Sequence, residues 1–162
     1  MSGLVTTGEK NLVLVSGRAH MDLAHAVGEE IGCGVSPVTA YDFASGEIYV
    51  RFNESVRGAD VFVLQSIEGD INKWIMEQLI MVDALKRASA KRITVVAPFF
   101  PYARQDKKHL GREPISARLV ADLYKTAGAD RLMSGDLDTS QEQGFLDGPW
   151  DHRWAQPVGE EK

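Results

Sequence analysis

The sequence predicts an α/β fold with a mainly parallel sheet and helices on both faces. Two observations carry this. Short β-branched apolar runs such as Val61-Phe62-Val63-Leu64 and Ile93-Thr94-Val95-Val96 read as strands buried on both sides. Between such runs lie segments of helical periodicity, and strands alternating with helices make a parallel sheet sandwiched between helical layers.

Along the chain, Leu12-Val13-Leu14-Val15 is a buried strand closed by the turn Ser16-Gly17. Leu23, Ala24, Val27 and Ile31 recur at helical spacing over Ala19 to Ile31, and Gly32 and Gly34 stop that helix. His20 and His25 have no metal-ligand partner at suitable spacing and read as surface or helix-terminus residues. Val38 to Tyr41 is a second strand, and Ile48-Tyr49-Val50-Arg51-Phe52 alternates like a half-buried one. Arg57-Gly58 is a turn. A long helix follows, with Ile71, Ile75, Leu79, Val82 and Leu85 on one face and Trp74 and Met81 widening it. Lys86, Arg87, Lys91 and Arg92 crowd its C-terminal end, where cations favour the helix dipole.

Beyond the strand at Ile93, Pro114 and Ser116 signal another helix start, Leu119, Val120, Leu123 and Tyr124 form its packed face, and Gly128 ends it. Arg131-Leu132-Met133-Ser134 is a last short strand leading into Gly135-Asp136-Leu137-Asp138-Thr139. Past Gln141 the pattern dissolves into Gly, Pro and Asp with Phe145, Trp150 and Trp154. The expected organisation is a disordered tail over 1–10, one domain over 11–155 and a polar tail over 156–162.

The bulk numbers bound the function. A chain of 162 residues with 44% hydrophobic and 25% charged residues suits one soluble globular domain. Its formal charge of -5 argues against general nucleic-acid binding, which needs a broad basic surface. No apolar run approaches membrane-spanning length, and the polar stretch Met1 to Asn11 lacks a signal core. Cys33 is the only cysteine, so no intrachain disulfide forms. These features predict a cytoplasmic protein.

Against the acidic body stands one basic loop, Pro98 to Pro114, with Arg104, Lys107, Lys108 and Arg112. A local positive field calls for an anionic partner, and loops at the carboxyl ends of strands are where open α/β sheets bind ligands. The chain contains neither a Gly-x-x-x-x-Gly-Lys-Ser/Thr phosphate loop nor a complete Gly-x-Gly-x-x-Gly fingerprint, so a bound nucleotide is held by another device.

At Ser16-Gly17-Arg18-Ala19-His20, Phe43-Ala44-Ser45-Gly46-Glu47-Ile48, Glu54-Ser55-Val56-Arg57-Gly58 and Tyr102-Ala103-Arg104-Gln105-Asp106-Lys107-Lys108, the chain resembles ribose-phosphate pyrophosphokinase, or phosphoribosyl pyrophosphate synthetase. The motifs occur in the right order over roughly residues 10 to 155, and Gly111 to Ser116 matches bacterial members. The resemblance implies a phosphoribosyltransferase-like α/β domain, the N-terminal one of the family's two. It implies diphosphoryl transfer from ATP to ribose 5-phosphate with Mg²⁺. It places ATP on Arg104 and Gln105, with Phe43 and Glu47 contacting adenine from a neighbouring subunit, and a regulatory phosphate or ADP on Ser55, Arg57 and Arg112. The chemistry agrees: guanidinium pairs with phosphate oxygens, an aromatic face accepts a base, and a carboxylate accepts an exocyclic amine.

Two positions depart from the family. Asp138 stands where the family has a histidine that helps place Mg²⁺, and Ser45 replaces an asparagine beside the adenine. A carboxylate is a competent hard-cation ligand, so Asp138 is the candidate metal residue, although its charge opposes a polyphosphate. The resemblance also implies that the ribose 5-phosphate pocket and the catalytic loop belong to the second domain. The expectation is an ATP-binding first half, inactive alone, that forms homo-oligomers from dimers to hexamers. The alternative is a non-catalytic partner that assembles with a full-length synthetase.

Overall fold

The structure, a computed structural model, describes residues 11–135 and 149–153. The expected tails over 1–10 and 156–162, the candidate metal residue Asp138, and Phe145 and Trp154 lie outside the described residues. The chain runs β1 (Leu12–Ser16), α1 (Met21–Glu30), β2 (Val38–Asp42), β3 (Ile48–Phe52), β4 (Asp60–Leu64), α2 (Ile71–Arg87), β5 (Arg92–Ala97), α3 (Ser116–Ala127), β6 (Arg131–Gly135) and β7 (Trp150–Arg153).

Five strands form one sheet in the order β1-β4-β5-β6-β7, and every neighbouring pair is parallel. The apolar runs lie at its centre because both faces are covered. Val61, Val63, Ile93 and Val95 point to one face, where they meet Met81, Val82 and Leu85 of α2 and Val120 and Tyr124 of α3. Leu64 and, less buried, Phe62 and Val96 face the other way, with Leu14 against Ala24 of α1. Alternate side chains of one strand thus serve two cores, which is why the runs are almost wholly apolar, with Thr94 as the buried polar position of β5. Each large aliphatic side chain so buried contributes about 1.5–3 kcal/mol.

The helices end as their residues dictate. His20 caps α1, its Nδ1 accepting the Leu23 N–H at 3.1 Å. Gly128 closes α3 at φ 123, a conformation that favours glycine, and its N–H donates to the Tyr124 carbonyl.

One expectation needs correction. Leu119 and Leu123 are not in the packed face of α3: they are 57% and 40% exposed, while Ala117, Val120, Ala121 and Tyr124 are buried. The buried stripe follows the i, i+3, i+4, i+7 rule, and Leu119 and Leu123 fall one position round it, on a groove shared with Met76 of α2. Beside the mainly parallel sheet, β2 and β3 stand apart. They pair antiparallel as a separate two-stranded hairpin, with Val38 opposite Phe52 and Asp42 opposite Ile48.

The α2 face also buries two polar residues, Glu77 and Gln78. The Gln78 amide donates to the carbonyls of Val63 and Val96, and its oxygen accepts the Tyr124 hydroxyl at 2.7 Å. Burial pushes the Tyr124 hydroxyl well above its ordinary pKa, so it remains a donor. One amide thereby joins α2, α3 and two central strands.

Candidate nucleotide site

Parallel strands deliver their following loops to one edge of the sheet. At that edge β1 leads into Gly17–His20, β4 into Gln65–Asp70 and β5 into the basic loop. The first two loops are packed tightly: a Cβ on Gly17 would lie 2.2 Å from the Gln65 side chain, and the Gln65 oxygen accepts the Ala19 N–H.

The basic loop has a buried root and an exposed rim. Phe100 is 1% exposed, and Pro101, Ala103 and Asp106 are also buried, whereas Arg104, Gln105, Lys107 and Lys108 face solvent. Tyr102 adopts φ 61, uncommon for a residue with a Cβ, and its hydroxyl donates to Asn72 on α2. That contact ties the loop to the first turn of α2. Gln105 is held from three sides: its N–H donates to the Tyr102 carbonyl, its carbonyl accepts the Ala117 N–H, and its side-chain oxygen accepts the Ser116 hydroxyl at 2.7 Å. Ser116 reads in the sequence as a helix-start signal; in the structure its hydroxyl orients Gln105, while the N-cap position belongs to Ile115. The Arg104 side chain makes no hydrogen bond or ion pair among the described residues. Farther along, the Glu113 carboxylate accepts the N–H groups of Leu110 and His109, which hold its carboxyl below the usual range.

Arg104 and Gln105 line a cavity of about 680 Å³ with Phe99, Phe100, Tyr102, Ala103 and the α2 start, Gly69 to Asn72. Its volume suits a nucleotide-sized ligand. The surroundings combine a guanidinium unpaired among the described residues, an oriented amide, aromatic rings and the N–H end of a helix, a set that favours an anion attached to a planar group.

Phe43 and Glu47 occupy the tip of the β2–β3 hairpin. Phe43 is 47% exposed and forms an edge contact with Tyr41, which stacks on Tyr49. Glu47 accepts the Ser45 hydroxyl at 2.8 Å and lines a second cavity with Asp42, Lys73 and Asp70. Asp70 lines the Arg104 cavity as well, so the two hollows both border the start of α2.

Ser55 and Arg57 line a third cavity, of about 520 Å³, together with Arg51, Glu54 and Arg87. Arg112 is on the basic loop at φ 70 and does not line that cavity. Among the described residues no three His, Cys, Asp or Glu side chains gather as a metal cage. No helix among them is long and apolar enough to cross a membrane.

Comparison with known proteins fits these features. A family model described as the N-terminal domain of ribose phosphate pyrophosphokinase matches residues 12–128. A ribose-phosphate pyrophosphokinase of Streptomyces avermitilis is 65% identical over 158 residues, 98% of this chain and 49% of that protein. One from Corynebacterium glutamicum is 68% identical over 150 residues, covering 93% of this chain and 46% of its own length. The crystal structure of phosphoribosylpyrophosphate synthetase from Mycobacterium smegmatis superposes with a TM-score of 0.91 at 67% identity, covering 92% of this chain and 50% of that one. The chain thus spans about half the length of the curated relatives it matches. By its fold, its motifs and these matches, it belongs to the ribose-phosphate pyrophosphokinase family and corresponds to the N-terminal domain.

Proposed function

We propose that this chain binds ATP as its Mg²⁺ complex in the cavity of Arg104 and Gln105. It would thereby supply the nucleotide half of diphosphoryl transfer to ribose 5-phosphate. Arg104 pairs with phosphate oxygens and Gln105 hydrogen-bonds the nucleotide from a fixed orientation. Phe43 and Glu47 contact the adenine of a nucleotide held by a neighbouring copy, the ring through its face and the carboxylate through the exocyclic amine. Mg²⁺ is held chiefly by phosphate oxygens and water, its ordinary mode, with Asp138 as the candidate protein ligand. The observation that carries the reading is Gln105: two backbone hydrogen bonds and one to its side-chain oxygen hold it beside an Arg104 that has no partner among the described residues, at the wall of a nucleotide-sized cavity.

Transfer of a phosphoryl-type group depends on positioning and charge stabilisation of both partners. The half of the relatives that this chain does not match would hold the sugar phosphate, so the 162 residues alone are expected to make no phosphoribosyl pyrophosphate. Ser55 and Arg57 form a candidate regulatory site for phosphate or ADP, which Arg112 of another copy would complete in an oligomer.

A thermal melt tests the central point. At a hundredfold excess over Kd a ligand selective for the folded state adds about 2.7 kcal/mol, a rise of about 5 °C or more for a domain of this size. Mg²⁺-ATP should produce that rise, and Arg104→Ala should abolish it. An intact rise in the variant refutes the site. The rival reading, a non-catalytic partner of a full-length synthetase, draws on the exposed Tyr41, Phe43, Leu119 and Leu123. It predicts co-purification with that enzyme and no ATP shift.

A further inference from the structure

The β2–β3 hairpin stands apart from the parallel sheet, and its two ends are anchored by different physics. Val38, Val50 and Phe52 pack against the main core, and Val38 and Phe52 face each other at the end remote from the tip. At the tip end the aromatic residues Tyr41 and Phe43 are exposed, and ion pairs tie Asp42 to the body. The Asp42 carboxylate accepts from Arg18 at 2.6 Å through one oxygen and from Lys73 at 2.6 Å through the other.

Behind Asp42 the chain of contacts continues inward. The Arg18 Nε–H and backbone N–H donate to the two oxygens of Glu77, each at 2.7 Å. Glu77 is 0% exposed, and its Oε1 also accepts the Gln65 amide at 3.1 Å. Arg18 and Lys73 both lie over the Trp74 ring, 5.8 Å and 4.8 Å from its centroid. A buried carboxylate therefore fixes the Arg18 fork, and the terminal Nη2 of that fork also holds the hairpin through Asp42. Hydrogen bonds from Arg18 and then Lys73 keep the Asp42 carboxyl below the usual range.

The tip beyond Asp42 is a tight turn. The Phe43 N–H donates to the Glu47 carbonyl, the Gly46 N–H donates to the Phe43 carbonyl, and Gly46 sits at φ 89. Such a turn moves as one piece with the residue at its base. We propose that Arg18 and Asp42 are positioning residues. Buried Glu77 sets Arg18, Arg18 and Lys73 set Asp42, and Asp42 sets the angle at which Phe43 and Glu47 meet a nucleotide base. This rests on the nucleotide reading of the tip given above, and deepens it.

The test uses Asp42→Ala in the 162-residue chain, because this leaves the buried Glu77–Arg18 pair intact; Arg18→Ala, which strands Glu77, serves only as a second variant. A released two-stranded hairpin is marginal in water. Amides of residues 38–52 should therefore exchange with solvent about tenfold faster, with those of β4 and β5 unchanged. Mg²⁺-ATP affinity should fall several-fold in Asp42→Ala but not fall further when Phe43→Ala is already present. Unchanged exchange over 38–52 overturns the clamp. Faster exchange with unaltered ATP affinity, or with losses that simply add to those of Phe43→Ala, overturns its positioning role. If the parent chain binds no ATP, the nucleotide reading fails, and the exchange result alone decides whether the clamp exists.

Discussion

The parallel sheet and the β2–β3 hairpin treat their polar and aromatic groups in opposite ways. In the sheet layer Tyr124 is wholly buried and spends its hydroxyl on Gln78, which is itself satisfied by two strand carbonyls. In the hairpin Tyr41 and Phe43 are 44% and 47% exposed, and the charged anchor Asp42 is at the surface. The basic loop combines both modes, with Phe100 and Ala103 as root and Arg104 and Gln105 as rim. The difference separates stability from display: a scaffold that pairs buried groups such as Tyr124 and Gln78 can support segments that expose theirs.

Substitutions should split along that division. The largest effect is expected in the scaffold. Leu85→Ala, at a fully buried position facing the sheet, should cost about 2–5 kcal/mol in denaturant unfolding. Phe43→Ala should cost under about 1 kcal/mol by the same measurement, because a half-exposed ring has little burial to lose. Comparable losses at the two positions would break the division. Next, Tyr124→Phe should cost about 1–3 kcal/mol, because it strands the buried Gln78 oxygen. Ser116→Ala should leave the unfolding midpoint almost unchanged yet weaken ATP binding by about 1 kcal/mol, roughly fivefold, by freeing Gln105. A loss of stability without a loss of affinity would reassign Ser116 to the scaffold.

The smallest effect concerns pH. Glu113 has a folded pKa below its unfolded one, first through the Leu110 N–H and then through His109. Its contribution is therefore fully present above the ordinary carboxylate pKa and is lost as pH falls through the depressed folded value. Glu113→Gln should loosen the loop amides near neutral pH, and the difference from the parent should vanish at acid pH. A difference that grows on acidification would contradict the assignment.

Much of this division was legible in the sequence. The strands β1, β4 and β5 announced themselves because burial on two faces leaves nearly continuous apolar runs. Gly128 marked the end of α3 because few other residues accept its conformation. The last strand, β7, was not legible: Trp-Asp-His-Arg has neither an apolar run nor clear alternation. Glu77 and Gln78 were missed because polar residues on a helix ordinarily face water, and only the three-dimensional partners show that burial satisfies them. Arg104 and Gln105 stood out by charge against an acidic body and by resemblance. Ser116 gave a capping signal, so its grip on Gln105 was hidden behind a more common use of serine. The separation of β2 and β3 from the main sheet left no local trace, since alternation identifies a strand but not its partners.

The central claim is that Arg104 and Gln105, displayed by a rigid scaffold, hold a nucleotide. Titrating Mg²⁺-ATP into the isotopically labelled chain and following amide resonances tests it most directly. The account predicts saturable shifts concentrated at Gly69 to Asn72 and Phe99 to Gln105, including the Gln105 side-chain amide, with the β4 and β5 resonances still. Saturable shifts elsewhere with these residues silent, or no shifts at millimolar nucleotide, would contradict it.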